Sequence, residues 1–235
     1  MSYFRYLGSE LDVFAKASRW KAYWARMINP YLGARVLEVG AGIGSNIQLL
    51  SSDRQRWVAV EPDEALARRI RETIARDGLN KMCDVRTGTL SSIDRSEQFD
   101  TILYIDVLEH IEDDRGELER AADHLARGGF VIVLSPAHQW LYAAFDKALG
   151  HIRRYNRKTL LAATPPSLRP EKVIYLDSVG ILASLGNRFF LQASAPSEAQ
   201  VQFWDAWMVP LSVHLDSGFR YKIGKTILGI WQKCV

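Results

Sequence analysis

Arg35-Val36-Leu37-Glu38-Val39-Gly40-Ala41-Gly42-Ile43-Gly44 reads as a buried strand that runs straight into a turn with glycine at every second position. A helical pattern starts at Ser45, Asn46 and Ile47. Glycine at that density means that the backbone turns sharply and that something approaches it too closely for a Cβ. At the carboxyl end of a strand, just before a helix N-terminus, the expected neighbour is a ligand with polar ends. The stretch therefore predicts the core of a nucleotide-type cofactor site. A tight strand-to-helix turn without a ligand would read alike, so the following residues have to decide.

Trp57-Val58-Ala59-Val60 is the next buried strand, stopped at Glu61-Pro62-Asp63 because proline cannot continue a ladder. A carboxylate at that strand tip can accept hydrogen bonds from both hydroxyls of a ribose, or cap the helix that follows. That helix carries Leu66, Ala67, Ile70 and Ile74 on one face and arginines largely on the other, and Gly78 stops it. Lys81 to Arg86 is a poorer third strand, followed by Gly88-Thr89-Leu90. Phe99 to Ile105 is the fourth, ending in Asp106-Val107-Leu108-Glu109-His110-Ile111-Glu112-Asp113-Asp114. Acids and a histidine thus appear where open α/β sheets bind ligands. No HxxxH or HxH spacing is present, so no metal set is expected, and Asp113 and Asp114 read as helix caps. A helix through Leu118 and Leu125, closed by Gly128-Gly129, leads to a fifth strand, Phe130 to Leu134, ending at Ser135-Pro136. Strand and helix alternating with short links over 33–135 predict a parallel sheet covered on both faces.

Upstream, Phe14, Ala17, Trp20, Trp24, Met27 and Tyr31 recur near the helical period, giving one amphipathic helix over 10–31 with Lys16, Lys21 and Arg26 off its stripe. It is expected to pack on the core or to cover the cofactor pocket as a lid, residues 1–32. Tyr3, Phe4 and Tyr6 suggest a lid or an oligomer contact. Downstream, residues 136–165 mix aromatics, arginines and histidines on the rim of the glycine turn, which reads as a substrate-pocket wall or as a basic surface loop. Val173 to Leu176 is a sixth strand, Gly180 to Phe190 a helix, and Val201, Trp204, Trp207 and Leu211 lie on another helix. Residues 178–222 form an insertion, and 223–231 is the last strand, its pattern diluted by Gly224 and Gly229.

The 235 residues are 48% hydrophobic and 24% charged with a net charge of +3, which fits one globular domain over 1–235 and argues against nucleic acid. No run approaches membrane-span length and none resembles a signal peptide, which predicts a cytoplasmic protein. Cys83 and Cys234 lack CxxC spacing, so neither a disulfide scaffold nor a structural metal is expected.

Val36 to Gly44, then Val60-Glu61-Pro62-Asp63, then Phe99-Asp100 through Asp106-Val107-Leu108-Glu109-His110-Ile111 resemble, in order and spacing, the class I S-adenosylmethionine-dependent methyltransferases. Val107-Leu108-Glu109-His110 is similar to the ubiquinone-biosynthesis group of small-molecule methyltransferases. The resemblance implies a Rossmann-like α/β sheet of order 3-2-1-4-5-7-6 with strand seven antiparallel, capped by helical and aromatic segments 136–165 and 178–222. It implies S-adenosylmethionine as cofactor and S-adenosylhomocysteine as product. Gly40, Gly42 and Gly44 would surround the methionine part, with Glu38 orienting their loop, and Glu61 beside Pro62 would hold the ribose. Thr89, where an aspartate is common, and the Leu90 backbone would meet the adenine. Asp106 would touch the methionine amino group, and His110 would line that pocket. The stretch around His138, Asp146, His151, Arg153, Arg154 and Tyr155 resembles a subgroup of bacterial methyltransferases linked to cell-surface or secondary metabolism.

Methyl transfer needs an acceptor aligned behind the sulfonium methyl and, for a hydroxyl, a proton acceptor. His138 or His151 is the expected base, with Asp146 as its orienting partner. Arg153 and Arg154 clamp an anionic acceptor group or pair with nearby acids, and Trp140, Tyr142, Tyr155 and Trp204 are expected to wall the pocket. The expected activity is O-methylation of a small-molecule hydroxyl, the acceptor having an apolar or lipid portion. The alternatives are an N- or carboxyl-methyltransferase, or a noncatalytic cofactor-binding module whose Trp204 and Trp207 dock on a partner or a membrane surface. A dehydrogenase is disfavoured because Gly42-Ile43-Gly44 lacks GxGxxG spacing. The chain is expected to be a monomer or homodimer without a nucleic-acid partner.

Overall fold

The computed structural model describes residues 10–51, 54–79, 81–186 and 195–234; Tyr3, Phe4 and Tyr6, and the end of the apolar run at 187–190, lie outside them. Helices α1 (Glu10–Ala15) and α2 (Ser18–Ile28) precede β1 (Arg35–Val39), α3 (Ser45–Leu50), β2 (Arg56–Glu61), α4 (Glu64–Arg76), β3 (Cys83–Thr87) and β4 (Phe99–Ile105). Then come α5 (Asp114–Asp123), β5 (Leu125–Pro136), α6 (Ala144–Leu149), α7 (Arg157–Ala163), β6 (Leu168–Leu176) and α8 (Gly180–Gly186). α9 (Glu198–Phe203), a π-helical turn (Trp204–Met208) and α10 (Val209–Gly218) run on continuously into the approach to β7 (Thr226–Lys233).

The seven strands form one sheet of order β3-β2-β1-β4-β5-β7-β6. β1 to β5 pair in parallel, and β7 runs antiparallel to both β5 and β6, as the methyltransferase resemblance implies. Successive strand residues serve opposite faces: Val36 joins a core with Trp24, Ile28, Ile47 and Ile70, while Leu37 joins one with Leu118, Ala121 and Leu160. Full burial of each such side chain contributes about 1.5–3 kcal/mol, which is why these near-continuous apolar runs become central strands.

Several boundaries differ from the sequence expectation. The predicted single helix over 10–31 breaks at Ala17, whose ψ of 69° leaves the helical region. α2 has no side-chain cap of its own; Asp205 supplies one from the π turn, accepting from Trp20 N at 2.8 Å and Arg19 N at 3.2 Å. Gly128-Gly129 do not close α5, which ends at Asp123; they lie inside β5 where its register against β4 shifts between Phe99 and Thr101. A Cβ on Gly129 would come 2.9 Å from the Asp100 carbonyl. The last strand starts at Thr226, and its interior Gly229 makes room for the fully buried Trp231, whose ring a Cβ would meet at 2.0 Å. Pro210 explains the π turn: it has no N–H to donate four residues back, and Arg19 Nη1 donates to that Ala206 carbonyl instead, at 2.8 Å.

Candidate active site

The carboxyl edge of the sheet gathers the residues with chemistry. Gly40, Gly42 and Gly44 all have positive φ, at 68°, 58° and 76°. The turn also presses on the end of β4: a Cβ on Gly40 would come 2.6 Å from Val107 Cγ2. Glu61, at the tip of β2, stitches this turn to the next helix. Its Oε2 accepts from Gly42 N at 2.8 Å and its Oε1 from Asp63 N at 3.0 Å. Burial raises its pKa, the two backbone donors opposing that shift. Asp63 in turn caps α4, accepting from Ala65 N and Leu66 N. Glu38 lies beneath the turn and is 1% exposed, so it holds the loop from inside, accepting from Asn46 Nδ2 at 2.8 Å and Trp57 Nε1 at 3.2 Å. Burial pushes Glu38 up to about 7. Leu11 of α1 lies against Gly42, and Lys21 of α2 donates to Ser45 Oγ at the start of α3, so the N-terminal helices lie across the turn.

At the end of β4 the chain makes a left-handed step at Asp106, φ 55°, before the turn that carries Glu109 and His110. Asp106 is open to solvent on one side and crowded by protein on the others. The crowding raises its carboxyl, opposed by the neighbouring His151, Lys225 and Lys21. His110 meets His151 edge to face, ring centroids 4.7 Å apart. Burial and the neighbouring His151 push His110 down to about 4, so it is neutral at pH 7.

His151 and Asp146 form the expected pair. His151 Nδ1 lies 2.9 Å from Asp146 Oδ1. Arg154 grips the same carboxylate through Nε at 2.7 Å and Nη2 at 2.9 Å, and Ala143 N donates to it at 2.8 Å. Burial alone would raise Asp146, but His151 and Arg154 outweigh it and hold the carboxyl below its ordinary range. An ionised acceptor at Nδ1 leaves the lone pair of the neutral ring on Nε2. That nitrogen faces Glu109 Oε1 at 3.9 Å. Glu109 is fully buried; Ser135 Oγ donates to its Oε2 at 3.0 Å, and Oε1 has no hydrogen-bond partner among the described residues. Burial raises Glu109 well above the usual carboxylate range, and Asp106 adds to the shift. Donor atoms of Glu109, His110 and His151 lie within 4.8 Å of one another, an arrangement able to take a divalent cation.

Other predicted site residues separate from this group. His138, φ 65°, stacks on Tyr175 at 4.7 Å and packs beside Trp140, with Asp146 directed to His151 instead. Arg153 pairs with Asp114 at 2.6 Å, so both arginines already serve acids of the fold. Tyr155 is 1% exposed and braces the β4 turn, its hydroxyl donating to Asp114 at 2.7 Å. Tyr142 donates to the His151 carbonyl at 2.7 Å, steadying that loop, while Trp140 points to solvent. Thr89 is exposed with its hydroxyl against Ser91, and the Leu90 side chain is buried; Pro62 follows Glu61 at the strand tip. Trp204 is not an exposed docking residue: it is buried, donates to Asp177 at 2.7 Å and underlies Lys225 Nζ at 3.9 Å. Sequence reasoning missed Lys21, read as off the buried stripe, and Glu109 as a partner of His151. Only the α6–α7 loop, distant in sequence, brings that pair together.

Residues 37–131 match the methyltransferase domain family. The chain is 30% identical over 115 residues to a ubiquinone biosynthesis O-methyltransferase of Bradyrhizobium diazoefficiens, covering 49% of this chain and 45% of that protein. It thus spans less than half the length of the curated relatives it matches. Among solved structures, geranyl diphosphate methyltransferase in complex with S-adenosylmethionine superposes with a TM-score of 0.63 at 12% identity, covering 97% of this chain and 91% of that one. The [4+2]-cyclase SpnF gives 0.63 at 16% identity, over 92% and 80%. At such identities the structures speak for the fold.

Proposed function

Starting from a chain that is a class I S-adenosylmethionine-dependent methyltransferase, related to but distinct from the ubiquinone-biosynthesis O-methyltransferases, we propose that it methylates a hydroxyl of a small-molecule acceptor. The observation that supports O-methylation is the Asp146–His151 pair at the carboxyl edge of the sheet. S-adenosylmethionine supplies an electrophilic methyl on a sulfonium. The turn at Gly40 to Gly44 and Glu61 would hold it, with Asp106 available to its amino group. With that methyl donor bound, His151 Nε2 would take the proton of an acceptor hydroxyl whose oxygen displaces the sulfur, the C–S electron pair staying on sulfur. Asp146 keeps the Nδ1 proton in place and stabilises the imidazolium that forms, and Arg154 keeps Asp146 ionised.

The test is transfer of labelled methyl from S-adenosylmethionine to a panel of phenols, hydroxy acids, carboxylic acids and amines. His151→Asn should cut transfer to hydroxyls while leaving S-adenosylhomocysteine affinity intact. Transfer confined to amines or carboxylates, indifferent to His151, would overturn the reading. The unpartnered Oε1 of Glu109 favours a second reading of the same site. A divalent cation held by Glu109, His110 and His151 would lower the hydroxyl's pKa directly. Chelation that abolishes transfer, restored by Mg2+ or Zn2+, distinguishes this from proton abstraction by His151 alone.

A further inference from the structure

Along the outer side of α9, the π turn and α10, Phe203, Trp207, Leu211, Leu215 and Phe219 recur every four residues and are 60%, 71%, 49%, 38% and 45% exposed. Four-residue steps drift round an α-helix by about 40° each. The π turn takes more residues to complete a circuit and offsets that drift, keeping Trp207 and Leu211 close to the line of Phe203. The inner side of the same helix carries Trp204, Asp205, Val209, Ser212 and Asp216, all buried. The core demand is therefore met from within. Scattered apolar residues on a surface need no explanation, but five large exposed ones along one continuous helical run and its C-cap do.

The ionisable groups around the stripe identify what covers it. Asp205 and Asp216 are buried and consumed: Asp205 caps α2, and Asp216 accepts from Tyr23 Oη at 2.8 Å and from the backbone of Ser178 at 2.9 Å. Glu198, at the start of α9, is ion-paired to Lys16 at 2.8 Å. Arg220 and Lys222, at the far end, are exposed and make no ion pair among the described residues. The face thus offers an apolar line with an outward tryptophan and a basic end, with no free acid on it among the described residues. No helix among the described residues is long and apolar enough to cross a membrane, so this pattern concerns a surface.

We propose that this face seats on a lipid bilayer surface carrying anionic headgroups, the apolar line entering the interface while Arg220 and Lys222 meet the headgroup charge. The π turn gives the arrangement its consequence: as it turns Trp207 outward it turns Trp204 inward over Lys225, next to the start of β7. The docked surface and the active edge of the sheet then share one helix, and an acceptor partitioned into lipid is brought to that edge. Docking itself is independent of the reaction proposed above.

Flotation of the full chain with vesicles tests this, using mixed phosphatidylglycerol–phosphatidylcholine vesicles and pure phosphatidylcholine ones. The native chain should float with the mixed vesicles. The pair Trp207→Ser and Leu211→Ser should lower its partition coefficient about tenfold or more, with circular dichroism and S-adenosylhomocysteine affinity unchanged. The pair Arg220→Glu and Lys222→Glu should abolish the preference for the anionic mixture. No flotation of the native chain, or flotation indifferent to the serine pair, overturns the proposal. So does a lipid-free dimer that the serine pair converts to monomer without loss of flotation, which would assign the stripe to a second copy.

Discussion

Replacing Glu61 by glutamine decides whether its carboxylate grips a ribose or only bridges two backbone amides. In the structure each oxygen takes one amide, from Gly42 and from Asp63. Each keeps a further acceptor site, so the pair can accept two ribose hydroxyls without releasing the loop. Glutamine keeps one oxygen, uncharged, so one hydroxyl loses its acceptor and the other loses the charge on its own. A hydrogen bond to a charged group contributes about 1.5–3 kcal/mol, so the Kd for S-adenosylhomocysteine should rise about 10- to 150-fold by calorimetric titration. A damaged turn alone would also weaken binding, so a second ligand is needed. An S-adenosylhomocysteine analogue lacking both ribose hydroxyls should bind the native chain far more weakly than the parent ligand does, whereas Glu61→Gln should discriminate much less between the two. Equal discrimination by both proteins would refute the ribose role. The pH sign follows from burial, which raises Glu61. Protonation removes the acceptor, so native affinity falls as pH is lowered through that raised pKa, and the variant lacks this limb.

Glu38 gives a stability prediction with its own sign. Its folded pKa near 7 lies above the ordinary value of 4.5. Its favourable contribution is complete below the ordinary value and is lost as pH rises through the folded one. Glu38→Gln should therefore gain on the native chain in thermal unfolding across that window, by up to about 3 kcal/mol; a difference independent of pH would contradict the burial argument. Asp205→Ala removes the remote cap of α2 and should cost about 0.5–2 kcal/mol, lowering Tm by a few degrees, with Asp205→Asn in between. A Tm unchanged by Asp205→Ala would show that the cap is dispensable. His138→Ala should disturb turnover far less than His151→Asn, because Asp146 serves His151; the reverse order in steady-state rates would move the base to His138.

The β1 turn and the tip of β2 were legible because their causes are local. A run of buried residues fixes each strand, and a backbone at positive φ calls for glycine at 40, 42 and 44. The sheet order was legible only through the resemblance, since periodicity shows strands but not their neighbours. What escaped depends on contacts between remote segments. The break at Ala17 is held by Asp205, on the far side of the sequence, so the aromatic spacing across it still reads as one helix. Gly128-Gly129 read as a helix stop because glycine serves that role as readily as it serves a strand irregularity.

The same remoteness governs the site. His151 was visible as one of two candidate histidines on the rim, with Asp146 as partner of either, but its second neighbour was not. Glu109 reaches it only because β4 and β5 lie side by side, which places Ser135 under one Glu109 oxygen and the loop after α6 over the other. Three backbone or side-chain contacts fix that loop independently of any ligand: Ile152 N to the Glu109 carbonyl at 2.9 Å, Tyr142 Oη to the His151 carbonyl at 2.7 Å, and Arg154 to Asp146. His151 is therefore positioned before an acceptor arrives, and the orientation of its ring does not have to be supplied by substrate binding. Breaking one brace without touching the ring isolates that effect. Tyr142→Phe leaves Asp146–His151 intact, and it should lower kcat while leaving the Kd for S-adenosylhomocysteine unchanged. A kcat equal to that of the native chain would mean that the remaining contacts suffice and that preorganisation of this loop does not depend on the tyrosine.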